Sequence, residues 1–140
     1  SGDQPNVDMG PLITKEHQQR VLNYIDIGVK EGATLVKDGR QIKVPGYEKG
    51  YFVGATLFDN VQPHMTIYKE EIFGPVLSVV CVPDFESALK LVNVHEYGNG
   101  TGIFIRDGDA VRTYASRVQV GMVGINVLIP VPMELPRFGV

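Results

Sequence analysis

The chain has 140 residues, 44% hydrophobic and 21% charged, which is the range of one globular domain with its own core. Thirteen Lys and Arg residues against sixteen Asp and Glu residues give a net charge of -3, and no basic run is interleaved with aromatic residues, so nucleic acid is a poor candidate partner. The apolar stretches are too short or too interrupted to cross a bilayer, and the first residues lack a basic and then apolar leader, so we expect a soluble protein.

The first element in chain order is a long amphipathic helix. Thr14 is a candidate N-cap for a helix that runs to about Glu31, and Gly32 stands where a left-handed residue commonly ends a helix. Four apolar residues recur on one face of this helix: Val21, Leu22, Ile25 and Val29.

Short strands are predicted to follow this helix. Thr34–Val36 is apolar and Lys37–Arg40 has the composition of a turn. The polar stretch Gln41–Gly50 predicts an exposed excursion. After it, Tyr51–Val53 and Thr56–Phe58 are β-prone, and we expect these two pieces to be antiparallel.

The second half alternates strands with helices. Three strands are predicted: Val76–Val82, Gly102–Ile105 and Gly121–Ile125. Asp84 is the candidate N-cap of the helix after the first strand, and Asp107 or Asp109 caps the helix after the second. This order predicts parallel pairing through right-handed crossovers, and so an α/β fold with a largely parallel sheet and flanking helices. Three prolines between Val127 and Pro136 predict an extended loop.

An acidic and aromatic motif precedes the strand that begins at Val76. If the backbone there is extended, Glu71 and Phe73 point the same way because they are alternate residues. A carboxylate can accept hydrogen bonds from both hydroxyls of a ribose, and a ring can press on a flat heteroaromatic base. Local chemistry alone leaves a plainer alternative open, in which a solvated acidic pair precedes a core phenylalanine and a turn.

The unbroken segment Lys69–Pro75, Lys-Glu-Glu-Ile-Phe-Gly-Pro, resembles a specific signature of the aldehyde dehydrogenases. The resemblance extends through five further segments: Gly2–Pro5, Met9–Ile13, Tyr51–Gly54, Tyr97–Thr101 and Val120–Asn126. In that family the second glutamate of the signature contacts the nicotinamide ribose and the aromatic residue positions the nicotinamide. The resemblance therefore implies that Glu71 and Phe73 bind NAD, and it gives Glu70 no such role.

Finer details resemble the coenzyme A-acylating methylmalonate-semialdehyde dehydrogenase branch. They lie in four places: Asp38–Arg40, Gly46–Gly54, Tyr97–Thr101, and Asn126 followed by Ile129–Pro132. That branch oxidises methylmalonate or malonate semialdehyde with NAD, and coenzyme A resolves the thioester formed on a cysteine. The resemblance thus implies NAD as cofactor, coenzyme A as co-substrate, a homo-oligomer, and a location in the cytoplasm or the mitochondrial matrix.

The same resemblance implies that residues 1–140 are a partial catalytic domain. The family's nucleophilic cysteine lies shortly before the segment equivalent to Ser1–Asp3, its dinucleotide-binding domain lies further upstream, and its closing oligomerisation strand is missing here. The residues after Pro132 also depart from the family's apolar and aromatic continuation. We therefore expect no catalytic residue in this chain and no activity of the chain alone. A nucleotide-binding module and a structural or assembly fragment are the alternatives.

The remaining chemically capable residues carry weaker signals. Cys81, the single cysteine, sits in an apolar strand with no adjacent base, so we expect it to be buried and structural. The wide spacing of His17, His64 and His95 gives no metal-ligand pattern and favours ordinary surface or core histidines.

Asn126 ends a predicted parallel strand, and the carboxyl ends of such strands face active-site crevices. The family's matching asparagine stands beside the substrate tunnel, which implies the same place for Asn126. The alternative is an asparagine that satisfies the backbone of the proline-rich turn.

Overall fold

The computed structural model describes residues 9–128, which form two compact units, one ending at Cys81 and the other beginning at Val82. The first unit contains α1 (Lys15–Lys30), β1 (Thr34–Lys37), β2 (Thr56–Asp59), α2 (Thr66–Lys69) and β3 (Val76–Ser78). The second contains α3 (Phe85–Asn93), β4 (Gly100–Ile103), α4 (Gly108–Arg117) and β5 (Met122–Ile125). Within residues 9–128, no helix has the length and apolar character needed to span a membrane.

Helix α1 begins and ends as predicted. The Thr14 hydroxyl accepts a hydrogen bond from the backbone N–H of His17 at 3.1 Å, and so satisfies one donor of the first turn. The helix ends at Glu31, and Gly32 follows with φ of +93°. Its buried face consists of three residues: Val21, Ile25 and Gly28.

The sheet of the first unit has the order β1-β2-β3, with β1 antiparallel and β3 parallel to β2. The expected antiparallel pairing of Tyr51–Val53 with Thr56–Phe58 is wrong, because Tyr51–Val53 is not a strand. The Tyr51 carbonyl accepts from the N–H of Leu12 and the Phe52 carbonyl accepts from the Gln18 amide, each at 2.9 Å. These two carbonyls are therefore hydrogen-bonded to residues at and just before α1. The antiparallel partner of β2 is β1.

The core of the first unit lies between this sheet and the two helices. Its fully buried side chains are those of Phe58, Ile25, Val21 and Val61. Gly28 allows the close contact of α1 with β2, since a Cβ there would lie 3.0 Å from Cζ of Phe58.

The prediction that Cys81 is buried is wrong, because its side chain is exposed. Strand β3 ends at Ser78, and Val79 makes the last hydrogen bonds to the neighbouring segment, to Phe58 and Val61. Cys81 lies two residues after Val79, where the backbone is no longer hydrogen-bonded to the neighbouring strand.

In the second unit β4 and β5 pair in parallel, with Gly100 opposite Met122. Parallel pairing across an intervening helix is thus confirmed for these strands, whereas β3 pairs with β2. Asp84 caps α3 as predicted, accepting from the N–H of Ser87 at 2.7 Å. Of the two candidate caps for α4, the structure selects Asp107. The predicted loop Val127–Pro136 lies largely outside the described residues.

An ion pair links α3 to α4 in this unit. Both terminal nitrogens of Arg117 donate to the Glu86 carboxylate at 2.6 Å, and these hydrogen bonds hold the pKa of Glu86 below its ordinary value. Because the pKa is lowered in the folded state, the pair stabilises that state at neutral pH. This contribution is lost as the pH falls through the folded-state pKa of Glu86.

We therefore expect Arg117→Gln to raise the pKa of Glu86 towards its ordinary value in an NMR titration of the side-chain carboxyl carbon. Arg112→Gln is the matched control, because Arg112 pairs with Asp109 on the same helix. An unchanged Glu86 midpoint in Arg117→Gln would show that the pair does not form in solution.

Candidate functional site

The predicted cofactor residues lie in the turn between α2 and β3. Glu71 is exposed, Ile72 is buried and Phe73 is 72% exposed. The turn therefore places the Glu71 carboxylate and the Phe73 ring on the surface, with the buried Ile72 between them. Within residues 9–128 the Glu71 carboxylate has no ion-pair partner.

The backbone of this turn is not extended, contrary to the condition under which the two side chains were expected to point the same way. Phe73 has φ of +54°, in the left-handed region. For a residue with a Cβ this conformation costs about 1–2 kcal/mol, so neighbouring contacts must stabilise it.

One of these contacts comes from α1. The Nε2 atom of His17 lies 2.7 Å from the carbonyl oxygen of Phe73. Because a carbonyl oxygen can only accept, this hydrogen bond requires a proton on Nε2. This contact has no signal in the sequence, since the residues are 56 positions apart and no local pattern links them.

Close packing fixes the next residue of the turn. A Cβ on Gly74 would lie 2.6 Å from Cγ2 of Val21, which is fully buried. The carbonyl of Pro75 then accepts from the N–H of Thr56 at 2.8 Å, where β3 begins to pair with β2. The turn is thus held by the core on one side and by the sheet on the other.

We expect Gly74→Ala to destabilise the chain by about 1–3 kcal/mol, because the added methyl group overlaps a side chain that cannot move into solvent. Urea denaturation of the wild type and the variant measures the loss. Gly10→Ala is the matched control, since a Cβ at Gly10 meets nothing within 4 Å. Equal loss in both variants would contradict the assigned contact.

The two adjacent glutamates of the motif have different surroundings. Glu70 lines a shallow cavity of about 300 Å³ together with residues of α1 and Thr66, whereas Glu71 does not. The Glu31 carboxylate accepts from both the N–H and the hydroxyl of Thr66, at 2.7 and 2.6 Å. These two hydrogen bonds hold the first residue of α2, the helix that leads into the motif turn.

A larger cavity of about 560 Å³ in the first unit is lined by Gln18, Arg40 and eight residues between Ile42 and Phe52, and it includes no residue of the motif. Arg40 there is engaged by Asp38 and Asp26. The hydrogen bond between Arg40 and Asp38 raises the pKa of Arg40 and lowers the pKa of Asp38. The positive charge of the Arg40 guanidinium is therefore already paired with two carboxylates.

Asn126 lies directly after β5 in the second unit, with φ of +55°. Its side-chain oxygen accepts from the N–H of Ile105 at 2.9 Å, and its own N–H donates to Ile103 at 2.8 Å. The side chain thus satisfies a backbone N–H, but this donor is Ile105, which follows β4, and not a residue of the proline-rich turn that the alternative interpretation named. The place of Asn126 beside a substrate tunnel stays a prediction.

The three histidines lie on or beside three different helices. His17 is on α1, His64 precedes α2, and His95 accepts from the N–H of Tyr97 after α3. Among residues 9–128, His, Cys, Asp and Glu side chains form no group of three or more that could hold a metal ion.

Comparison with known proteins agrees with the motif. The aldehyde dehydrogenase family model matches residues 1–140. Malonate-semialdehyde dehydrogenase of Pseudomonas aeruginosa is 56% identical over 139 residues, which are 99% of this chain and 28% of that protein. The acylating, mitochondrial methylmalonate-semialdehyde/malonate-semialdehyde dehydrogenase of Mus musculus is 57% identical over 91% of this chain and 24% of its own length.

Among solved structures, a protein described as a methylmalonate-semialdehyde dehydrogenase of Sinorhizobium meliloti 1021, complexed with NAD, is 59% identical. It superposes with a TM-score of 0.88 over 91% of this chain and 26% of its own. The chain thus spans about a quarter of the length of the proteins it resembles. The resemblance inferred from the sequence is confirmed, and this chain belongs to the aldehyde dehydrogenase family.

Proposed function

We propose that this chain is part of the catalytic domain of an NAD-dependent, coenzyme A-acylating dehydrogenase of methylmalonate and malonate semialdehyde. Within that enzyme, Glu71 and Phe73 contact the nicotinamide half of NAD. The names of the relatives support the substrate class and the acylating reaction, and the NAD complex of the Sinorhizobium meliloti relative supports the cofactor.

The observation that carries the proposal is the geometry of the motif turn. Glu71 and Phe73 are exposed on either side of the buried Ile72, and their side chains are therefore accessible to a ligand. An ionised carboxylate has the acceptors that two ribose hydroxyls require, and an exposed ring can stack on a nicotinamide. These residues fit NAD, whose nicotinamide would accept the hydride from the substrate when the cofactor is bound.

The roles of the chain's own residues follow from this assignment. Glu71 fixes the nicotinamide ribose, and Phe73 limits the orientations of the nicotinamide ring. Asn126 is assigned to the substrate tunnel, where its oxygen is occupied by the Ile105 N–H. The nucleophilic cysteine and the dinucleotide-binding domain are assigned to parts of the enzyme that the family places before the segment equivalent to Ser1–Asp3. The assembly is a homo-oligomer in the cytoplasm or the mitochondrial matrix.

The experiment is an assay of the full-length protein with malonate semialdehyde and NAD, with and without coenzyme A. NADH is followed by absorbance and the coenzyme A thioester by mass spectrometry. Continuous NADH formation is expected only with coenzyme A, with at most one burst per active site in its absence. Equal turnover without coenzyme A would overturn the acylating assignment. No NADH under either condition would overturn the substrate class.

A further inference from the structure

We propose that His17 is a positioning residue, which sets the direction of the Phe73 ring through its hydrogen bond to the Phe73 carbonyl. The inference rests on the proposed contact between Phe73 and the nicotinamide. His17 does not touch the cofactor in this proposal. It acts on the peptide group that carries the aromatic residue.

Phe73 needs such support more than its neighbours do. Ile72 is anchored in the core and Gly74 is pressed against Val21, but the Phe73 ring is 72% exposed. Solvent-exposed rings gain little from packing, so the ring direction depends on the backbone that carries it. That backbone has φ of +54°, and the His17 bond fixes the peptide group immediately after it.

The position of His17 on α1 explains why it can do this. His17 and Val21 are four residues apart and so share one helix face. Val21 contacts Gly74, and His17 bonds the preceding residue. The backbone N–H of His17 is itself bound by the Thr14 cap, which orders the first helical turn. The donor is therefore presented by a rigid element.

Imidazole suits this role because its Nε2–H is present both in one neutral tautomer and in the cation. Glutamine also carries an N–H donor at the end of its side chain, whereas leucine fills a similar volume without a donor. His17→Gln and His17→Leu therefore separate the hydrogen bond from simple packing.

The first measurement needs no cofactor. Long-range proton–nitrogen correlation spectra of the nitrogen-15-labelled 140-residue chain report which ring nitrogen of His17 carries the proton. We expect a protonated Nε2. A neutral His17 with its proton only on Nδ1 would overturn the proposal, because Nε2 would then have no hydrogen to donate.

The second measurement compares the affinities of the full-length protein for NAD and for ADP-ribose, which has the same ribose but no nicotinamide. His17→Leu is expected to weaken NAD binding about three- to tenfold, the effect of one hydrogen bond, and to leave ADP-ribose binding within about twofold. His17→Gln should recover most of the NAD affinity. His64→Leu, a substitution of an exposed histidine, is the control and should change neither.

Equal weakening of both ligands, or no weakening of NAD, would overturn the positioning role. Phe73→Ala separates this failure from that of the proposed function. If Phe73→Ala leaves NAD affinity unchanged, the contact between Phe73 and the nicotinamide is itself wrong. If Phe73→Ala weakens NAD binding and His17→Leu does not, only the role of His17 is wrong. Should His17→Leu fail to fold, the tautomer measurement still decides.

Discussion

Replacing Glu71 by glutamine in the full-length protein is expected to weaken binding of NAD and of ADP-ribose alike. Both ligands carry the second ribose, whose hydroxyls would donate hydrogen bonds to the Glu71 carboxylate. Hydrogen bonds to a charged group contribute about 1.5–3 kcal/mol, which corresponds to a loss of about tenfold to a hundredfold. The fold should be unaffected, because Glu71 is exposed and has no ion-pair partner among residues 9–128. Isothermal titration measures the affinities, and circular dichroism checks the fold.

Glu70→Gln is the matched control, since it removes the adjacent exposed carboxylate with the same change in charge. ADP is the matched ligand, because it lacks the second ribose. We expect Glu70→Gln to bind all three ligands normally and Glu71→Gln to bind ADP normally. Equal losses in the two variants would point to a general charge effect, and no loss in Glu71→Gln would remove the ribose contact.

The purified 140-residue chain is expected to give no NAD reduction when mixed with NAD, coenzyme A and malonate semialdehyde. Thioester chemistry needs an activated thiolate, a preorganised oxyanion site and a bound nicotinamide. The chain has one cysteine, Cys81. Among residues 9–128, no hydrogen bond joins Cys81 to a base that could activate its thiol. Two contacts from Glu71 and Phe73 also have to offset several kcal/mol of lost translational and rotational freedom, so NAD affinity is expected to be weak.

The readout is NADH absorbance against a heat-denatured sample, with Cys81→Ala as the second control. Turnover that is lost in Cys81→Ala would show that this exposed thiol is a nucleophile and that the chain is a complete enzyme. Turnover that persists in Cys81→Ala would contradict the cysteine mechanism for this chain.

Local chemistry predicted both ends of α1 and the start of α3, but it did not predict the short helix α2. Thr14 and Asp84 were recognisable as caps because a short oxygen-bearing side chain before an apolar periodic segment satisfies donors within three residues. Gly32 was recognisable because glycine adopts positive φ without a steric cost. The exposure of Glu70 and Glu71 agrees with the solvated acidic pair of the plainer alternative, but the exposed Phe73 contradicts the core phenylalanine that this alternative also required. The specific role of Glu71 came only from the family motif.

Features that depend on distant contacts could not be predicted from sequence alone. The bond from His17 to Phe73 joins an α1 side chain to a turn 56 residues later. The left-handed conformation of Phe73 has no residue-type signal, since φ above zero is expected for glycine rather than phenylalanine. Cys81 looked buried because the apolar run continues past Ser78, but sheet pairing stops before it.

The most direct test of the central claim is a crystal structure of the full-length protein with NAD. We predict a Glu71 carboxylate oxygen within about 3 Å of a nicotinamide-ribose hydroxyl, the distance of a hydrogen bond, and the Phe73 ring in van der Waals contact with the nicotinamide. The nicotinamide ribose bound against other residues, with Glu71 in solvent, would contradict the account.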